Sequence, residues 1–323
     1  MPNRQPVSAK AVIMNNALSL HIADPVARLL PAAASSVRLI INADDFGLSH
    51  PVNDGIILAH RMGMVTSASL MPVGKAFDHA VCKLQETPSL DIGVHLTLVG
   101  EEPLIRKNTS LINGGNRLPK DIASFMIAYF KGAIKLSDVR IEISAQIEKV
   151  LDRGVSISHI DSHQHVHALP GLSDITQELA ETYGVPFIRK PCEALEWYMF
   201  KDIRTIGRVA GDLALKLFWS MTINRRRHTN GHETPHFLGF FHGGKLDTGG
   251  LHHILSSTQP GCTYELMCHP GFAPNEPEYR NWKYQHEGEL TALASPMLRD
   301  DLHSRGFCVC NFRDLLNPSH LFP

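Results

Sequence analysis

The sequence predicts an α/β protein built on a mostly parallel sheet, and two observations carry this prediction. Short apolar runs typical of buried strands alternate along the chain with segments of helical periodicity, which is the pattern of successive β–α–β units. Polar residues directly follow several of the apolar runs. Because the carboxyl ends of parallel strands share one edge of a sheet, and sites in such folds form there, the same pattern predicts where function resides.

The first apolar run, residues 37–41, stops at Asn42 and is typical of a buried parallel strand. Four of its five residues are apolar, Arg38 being the exception, which favours a strand whose two faces are both covered. Later segments predict the other strands, and one of them, residues 158–161, is a polar strand end. They are residues 65–71, 92–98, 158–161, 186–189, 264–268 and 308–312.

Helical segments separate these strands. The first covers residues 52–62, where apolar residues recur on one face and Gly63 supplies a stop signal. The others are residues 77–84, 122–134, 139–151 and 172–183. Residues at about 195–250 interrupt the alternation with a bulky aromatic and aliphatic insert, and residues 1–36 predict a disordered leader.

Composition limits the possible functions. The chain has 323 residues, and 43% of them are hydrophobic, which suits one large domain over residues 37–323. A net charge of −1 gives no electrostatic reason to expect a nucleic-acid partner. The sequence holds no apolar stretch long enough to predict a transmembrane segment. None of the six cysteines forms a C-x-x-C pair, so a cysteine zinc site is not expected and a reduced, cytoplasmic location is.

Two adjacent carboxylates, Asp44 and Asp45, follow the first predicted strand. Like charges repel in one tight site, and a metal would resolve the conflict if one carboxylate bound it and the other acted as a base. The structural alternative is a turn or helix cap before Gly47. His95 interrupts the apolar strand at 92–98, and a lone histidine in such a strand is more often a hydrogen-bonded core residue than a metal ligand.

The sharpest feature is His163, His165 and His167, which alternate directly after a predicted strand. Neutral imidazole is a favoured ligand for divalent transition metals, so we expect at least two of the three to converge. A solvated polar loop is the alternative. His269 follows the late strand at 264–268 and precedes Pro270, which fixes the turn.

Together these motifs make the sequence recognisable. The stretches 42–47, 93–96, 162–167 and 268–270 resemble, in order and spacing, the YdjC-like family of carbohydrate deacetylases. That family includes chitooligosaccharide deacetylases and the hopanoid-biosynthesis deacetylases called HpnK. The resemblance covers roughly residues 37–315, and the four motifs are specific only as a combination.

The resemblance implies a distorted (β/α) barrel of the polysaccharide-deacetylase type and a set of roles. Asp45, His95 and His163 would bind one divalent metal ion, Mg²⁺ or Zn²⁺. Asp44 would be the catalytic base, and His269 the acid that protonates the leaving amine. The residues expected to line the substrate site are His165, His167 and Phe46.

The resemblance also implies an N-acetylated amino-sugar substrate, either lipid-linked, as in the hopanoid branch, or a free chitooligosaccharide such as diacetylchitobiose. A different metal-dependent sugar enzyme on the same fold, and a non-catalytic metal-binding protein, stay open as alternatives. So do a homodimer and peripheral attachment of this cytoplasmic protein to a membrane.

Overall fold

A computed structural model of the chain describes residues 36–112, 115–195, 203–221 and 234–317. The leader predicted for residues 1–36 therefore lies outside the described residues except for Ser36, and so does part of the insert predicted at about 195–250. The described residues contain a sheet of eight strands that pair in parallel. This arrangement confirms the predicted α/β fold.

The strands follow the predicted order with one addition inside the insert. They are β1 (Val37–Phe46), β2 (Ser67–Leu70), β3 (Asp91–Leu96), β4 (His159–Ser162), β5 (Phe187–Ile188), β6 (His236–Leu238), β7 (Thr263–Cys268) and β8 (Phe307–Cys310). The helices between them lie around the sheet. They are α1 (His50–Arg61), α2 (Phe77–Gln85), α3 (Ile122–Phe130), α4 (Leu136–Leu151), α5 (Leu172–Tyr183), α6 (Ile203–Ser220), α7 (Thr248–Ser256), α8 (Pro277–Arg280), α9 (His286–Leu293), α10 (Pro296–Ser304) and α11 (Phe312–Leu316).

Strand β1 occupies the middle of the sheet, whose order is β5-β4-β3-β2-β1-β7-β6. Strand β7 pairs with one side of β1, while β8 pairs with the first half and β2 with the second half of the other side. The segment after β5 forms a parallel bridge to β6 between Glu193 and Phe237. The two edges of the sheet thus approach each other, as in the distorted barrel that the sequence resemblance implies.

Local sequence sets the boundaries of the elements. Helix α1 begins at His50 because the Ser49 side chain accepts a hydrogen bond from the amide of Val52, and Gly63, with a φ of +92°, follows its end. At the other end of the chain, the strand predicted over 308–312 stops at Cys310. There the Asn311 side chain caps helix α11, so Phe312 is helical instead of extended.

The core lies between the sheet and the helices that cover it. Leu39 of β1 and Ile143 of α4 are at most 1% exposed, and Ile56 of α1 is completely buried. The described part of the insert also joins this structure, because Leu238 of β6 and Trp219 of α6 belong to the same core. Burial of this apolar surface fixes the sheet and holds the carboxyl ends of its strands at one edge.

Candidate metal and catalytic site

The two adjacent carboxylates at the end of β1 point to different partners. Asp45 has a φ of +64°, a left-handed conformation that is uncommon but tolerated by aspartate. Its Oδ1 atom lies 3.3 Å from His95 Nε2 and 3.0 Å from His163 Nδ1. Asp44 instead faces Arg189. Neighbouring side chains of a regular strand would also point apart. The left-handed conformation at Asp45 in addition directs its carboxylate at two imidazoles.

Asp45, His95 and His163 form a compact set of possible metal ligands. One atom from each lies within 4.8 Å of the others, and all three residues are buried. The Oδ2 atom of Asp45 is also buried and has no hydrogen-bond partner among the residues that the structure describes. An uncompensated carboxylate oxygen is costly in a protein interior. A divalent cation fits this donor set, because it would satisfy that oxygen together with the two imidazoles.

His95 is oriented by a second carboxylate. Its Nδ1 atom donates to Asp161 Oδ1 over 2.8 Å, which leaves Nε2 directed at Asp45. This carboxylate–histidine arrangement is the usual support behind a metal-binding imidazole. Burial opposes charge on the ring, but the negative charges of Asp161 and Asp44 outweigh it and raise the pKa of His95 to about 10. The neighbouring carboxylates therefore favour a positive charge on the His95 ring.

The segment that carries three alternating histidines directs them to different partners, although His163 and His165 line the same cavity. Gln164 and His165 both adopt left-handed backbone conformations, with φ values of 55° and 57°, inside a 3₁₀ turn over His163–Ala168. His163 faces Asp45, whereas His165 packs against the rings of Phe237 and Phe240. Two successive non-glycine residues in this conformation cost about 1–3 kcal/mol each, and such strain is concentrated at functional sites.

Two residues expected to line the substrate site have other surroundings. His167 donates from one ring nitrogen to the carbonyl oxygen of Arg189 over 2.9 Å, and its other nitrogen lies 2.5 Å from Ser162 Oγ. Phe46 is completely buried next to Leu70 in the sheet. His167 therefore stabilises the chain where β5 ends, and Phe46 is part of the hydrophobic core.

Arg189, which sequence reasoning did not single out, organises the polar centre of the site. Its guanidinium is completely buried and makes a fork with Asp44, with 2.7 Å from each Nη atom to a carboxylate oxygen. The same side chain reaches Asp161 Oδ2 and Glu265 Oε1, again over 2.7 Å. Such a bidentate pair fixes the carboxylate in one orientation. The feature of the sequence that could have indicated Arg189 is its position as a basic residue at the end of a predicted buried strand.

A chain of hydrogen bonds joins this centre across three strands. Asn42 Nδ2 donates to Asp44 Oδ1 over 2.9 Å and to Ser69 Oγ over 2.8 Å. Ser69 Oγ donates to Asp161 Oδ2 over 2.8 Å. Strands β1, β2 and β4 each supply a member, so the pairing of the sheet sets the geometry of the base and of the residue that orients His95.

His269 stands at the end of β7, and the backbone on both sides of it is held. Its amide donates to Glu289, and its carbonyl accepts from His286 Nδ1 over 2.9 Å. The following turn packs tightly on α1, since a Cβ atom added at Gly55 would lie 2.3 Å from the Cα of Gly271. The imidazole Nδ1 itself is buried and has no hydrogen-bond partner within the described part of the chain. Burial lowers the pKa of His269 to about 4, so the ring is neutral near pH 7 in this state.

These side chains meet in a cavity of about 330 Å³. Its polar end is formed by Asp44, His95, His163 and His269, and His165 also lines it. The rest of the lining is largely apolar and comes mainly from two helices, α3 and α6. The apolar lining residues are Ile122, Met126, Leu169, Ala214, Leu215, Phe218, Phe240 and Met267.

A family model described as YdjC-like protein matches residues 38–304. The chain belongs to the YdjC-like family. Membership agrees with the resemblance found in the four sequence motifs, while assignment to the HpnK branch stays a prediction. The motif residues Asp45, His95 and His163 form one of two sets of possible metal ligands among the described residues, and the other set is Asp44, His95 and Asp161.

Relatives of this YdjC-like chain extend over most of its length. A carbohydrate deacetylase of Brevibacillus brevis is 31% identical over 281 residues, which cover 86% of this chain and 100% of the relative. One of Vibrio parahaemolyticus is 30% identical over 288 residues, covering 88% and 99%. A crystal structure from Enterococcus faecalis V583, described as a candidate cellobiose-phosphate cleavage protein, superposes with a TM-score of 0.65 at 27% identity and covers 87% of this chain and 99% of its own.

Proposed function

We propose that this protein is a metal-dependent hydrolase that removes the acetyl group from an N-acetylated amino sugar. The observation that carries the proposal is the meeting of Asp45, His95 and His163 within 4.8 Å of one another, in a cavity that also contains Asp44 and His269. The relatives named carbohydrate deacetylase support the same reaction class.

Asp45, His95 and His163 would hold one divalent cation, Mg²⁺ or Zn²⁺, whose Lewis acidity would lower the pKa of water and polarise an acetyl carbonyl. Two imidazoles and one carboxylate suit Zn²⁺. The protein's own contribution is orientation. Asp161 holds the His95 ring so that Nε2 faces Asp45, and the left-handed conformation at Asp45 directs its carboxylate at the two imidazoles that would bind the cation with it.

Asp44 is the proposed base that takes a proton from the attacking water. Its oxygens accept three hydrogen bonds, two from Arg189 and one from Asn42. A carboxylate offers about four acceptor positions, which leaves one for the proton. Because the fork with Arg189 prevents rotation, the remaining position faces a fixed direction, and Asp44 lines the cavity.

His269 is the proposed acid that protonates the leaving amine. A ring that is neutral near pH 7 must gain a proton before it can donate one, so its pKa has to rise when substrate binds. The negative charges of Asp45 and Asp44 already act in that direction. Negative charge that develops on the acetyl oxygen would act in the same way.

The apolar wall of the cavity favours a lipid-linked amino sugar, such as a hopanoid glycoside, over a free sugar. A sugar ring alone would leave the side chains of Met126, Leu215 and Phe218 facing water, whereas an apolar aglycone would cover them. A free chitooligosaccharide is the second candidate. It is favoured by Arg208, a half-buried residue of the same cavity. Its guanidinium donates to the carbonyls of Phe240 and Gly243, and its remaining N–H groups can donate to sugar hydroxyls.

The test is acetate release by the full-length protein loaded with Zn²⁺ or Mg²⁺. N-acetylglucosaminyl lipid and diacetylchitobiose are offered in parallel, and a phosphorylated disaccharide serves as a third arm. Release from any N-acetyl sugar supports the reaction, and a strong preference for the free disaccharide rules out the lipid assignment. Turnover with none of them, despite bound metal, would favour a non-catalytic protein.

Asp44→Asn provides the matched variant for this assay. We expect it to bind metal as the wild type does and to lose turnover by about 10²-fold or more, because the amide cannot accept the proton. Metal content by elemental analysis and acetate release are measured on the same sample. Full activity in this variant would remove Asp44 from the mechanism while leaving the metal site in place.

A further inference from the structure

Helix α3 exposes apolar side chains next to the cavity. The segment Ile122–Phe130 contains no charged residue. Ile122 and Met126 face the cavity, while Ile127 is 59% exposed and Phe130 is 60% exposed. One side of the helix therefore lines the cavity and the adjacent side presents apolar surface to solvent.

Helix α6 repeats this arrangement on the other wall. Ala214, Leu215 and Phe218 line the cavity. On the neighbouring face, spacing by four residues aligns Leu213, Leu217 and Met221, which are 50%, 59% and 57% exposed. The rings of Phe130 and Phe218 lie 6.2 Å apart, so the two helices meet. Contiguous exposed apolar surface of this kind marks an interaction site.

Exposed basic residues lie next to this surface in the sequence. Lys131 directly follows α3 and Lys135 directly precedes α4, and both are exposed; the charge of Lys135 also acts on Asp138 of α4. Further along the sequence, Arg225-Arg226-Arg227 follows Met221 after three residues, although its structure lies outside the described part of the chain. Basic residues that flank an apolar face are typical of helices that lie on anionic membranes.

We propose that the rim surface, defined as Ile127, Phe130, Leu213, Leu217 and Met221, docks on an anionic lipid bilayer. A bilayer fits better than a protein partner because the apolar surface continues along both helices into the cavity. An apolar aglycone could pass from the bilayer along α3 and α6 without crossing water. This passage of substrate from the bilayer to the cavity rests on the proposed function with a lipid-linked substrate, but docking itself does not require catalysis.

The experiment is co-sedimentation of the full-length protein with vesicles of phosphatidylcholine and phosphatidylglycerol, compared with phosphatidylcholine alone. We expect binding to the anionic vesicles that weakens when ionic strength is raised from about 0.1 M to about 1 M. Ile127→Glu and Leu217→Glu should each weaken binding about tenfold or more, because a buried charge opposes insertion. Lys135→Glu should weaken binding to anionic vesicles only.

Met297→Glu is the matched control, since Met297 of α10 is 80% exposed and lies outside the rim surface. It should bind vesicles as the wild type does, and thermal melting checks that all variants fold. Failure of the wild type to bind, equal loss in Met297→Glu, or unchanged binding in both rim variants would overturn the proposal. A dimer in sedimentation velocity that the rim variants dissociate would assign the surface to a second copy instead.

Acetate release from soluble diacetylchitobiose separates this inference from the proposed function. Deacetylation without vesicle binding would refute only the docking surface. Vesicle binding without deacetylation of any N-acetyl sugar would refute only the proposed reaction. Ile127→Glu and Leu217→Glu should leave release from the soluble substrate unchanged, because neither side chain lines the cavity.

Discussion

Replacing Arg189 by methionine should destabilise the protein, because it removes the cation that three buried carboxylates share. Arg189 is 1% exposed, and its guanidinium contacts Asp44, Asp161 and Glu265 over 2.7 Å each. Methionine is similar in length and leaves little empty space. What it leaves uncompensated is negative charge in a water-excluded site.

The size of the effect follows from this burial. Breaking a buried ion pair by removing one partner costs about 3–5 kcal/mol, a large part of the about 5–15 kcal/mol that separates folded from unfolded proteins. A chain of 323 residues has an unfolding entropy of about 0.7 kcal/mol/K, at about 2.1 cal/mol/K per residue. The melting temperature should therefore fall by about 4–7 °C.

The loss should depend on pH with a defined sign. Burial raises the pKa of Glu265 to about 7 even with Arg189 beside it, so without the cation this pKa rises further. A carboxylate whose folded pKa lies above its unfolded value destabilises the protein fully above the folded pKa, and this penalty shrinks as pH falls from the folded pKa towards the unfolded one. The variant should thus lose more stability at about pH 8 than at about pH 5.5.

Differential scanning fluorimetry at both pH values measures this prediction. Arg189→Lys is the control, since it keeps the charge but cannot bond both oxygens of Asp44 while reaching Asp161 and Glu265. It should melt between wild type and Arg189→Met and should lose turnover, because Asp44 is no longer fixed. Coincident melting curves for Arg189→Met and wild type at both pH values would refute the reasoning.

Three further outcomes are expected. His163→Ala should lose the metal while keeping its fold, as elemental analysis and circular dichroism would report; retained stoichiometric metal would remove His163 from the site. Asp161→Asn should weaken metal affinity about 10–100-fold, because the His95 ring loses its orienting carboxylate, and metal titration measures this. Gly55→Ala should cost about 1–3 kcal/mol in denaturant unfolding and lower turnover, because the added methyl displaces the turn after His269. Unchanged kinetics in Gly55→Ala would show that this turn position is not critical.

The order of strands and helices was predictable because apolar periodicity is local. The run 37–41, the helix after it and the late strand at 264–268 each carry their signal within a few residues. Strand β6 was missed since it contributes only His236–Leu238, too short for a period to register, and it lies inside an irregular stretch. The early end of β8 depended on the side chain of Asn311, whose capping contact with Asp314 competes with strand extension.

The candidate site was predictable as a set of residues but not as a geometry. Asp45, His95 and His163 were identified by motif, and the structure brings them within 4.8 Å of one another. The alternation at 163–167 suggested that at least two histidines converge, and His163 and His165 do share the cavity, but two left-handed residues, Gln164 and His165, give them different partners. Such a conformation is intrinsically unfavourable, so local propensity argues against it and only the surrounding structure imposes it.

The sequence by itself determined the class of fold and which polar residues would stand at strand ends, because both depend on short-range patterns of apolar and polar residues. Only the tertiary structure decided which of those residues contact one another. It placed Arg189 between three carboxylates from β1, β4 and β7, and it joined the apolar sides of α3 and α6 into one wall. The physical reason is that charge compensation and burial act between residues close in space, whatever their separation along the chain.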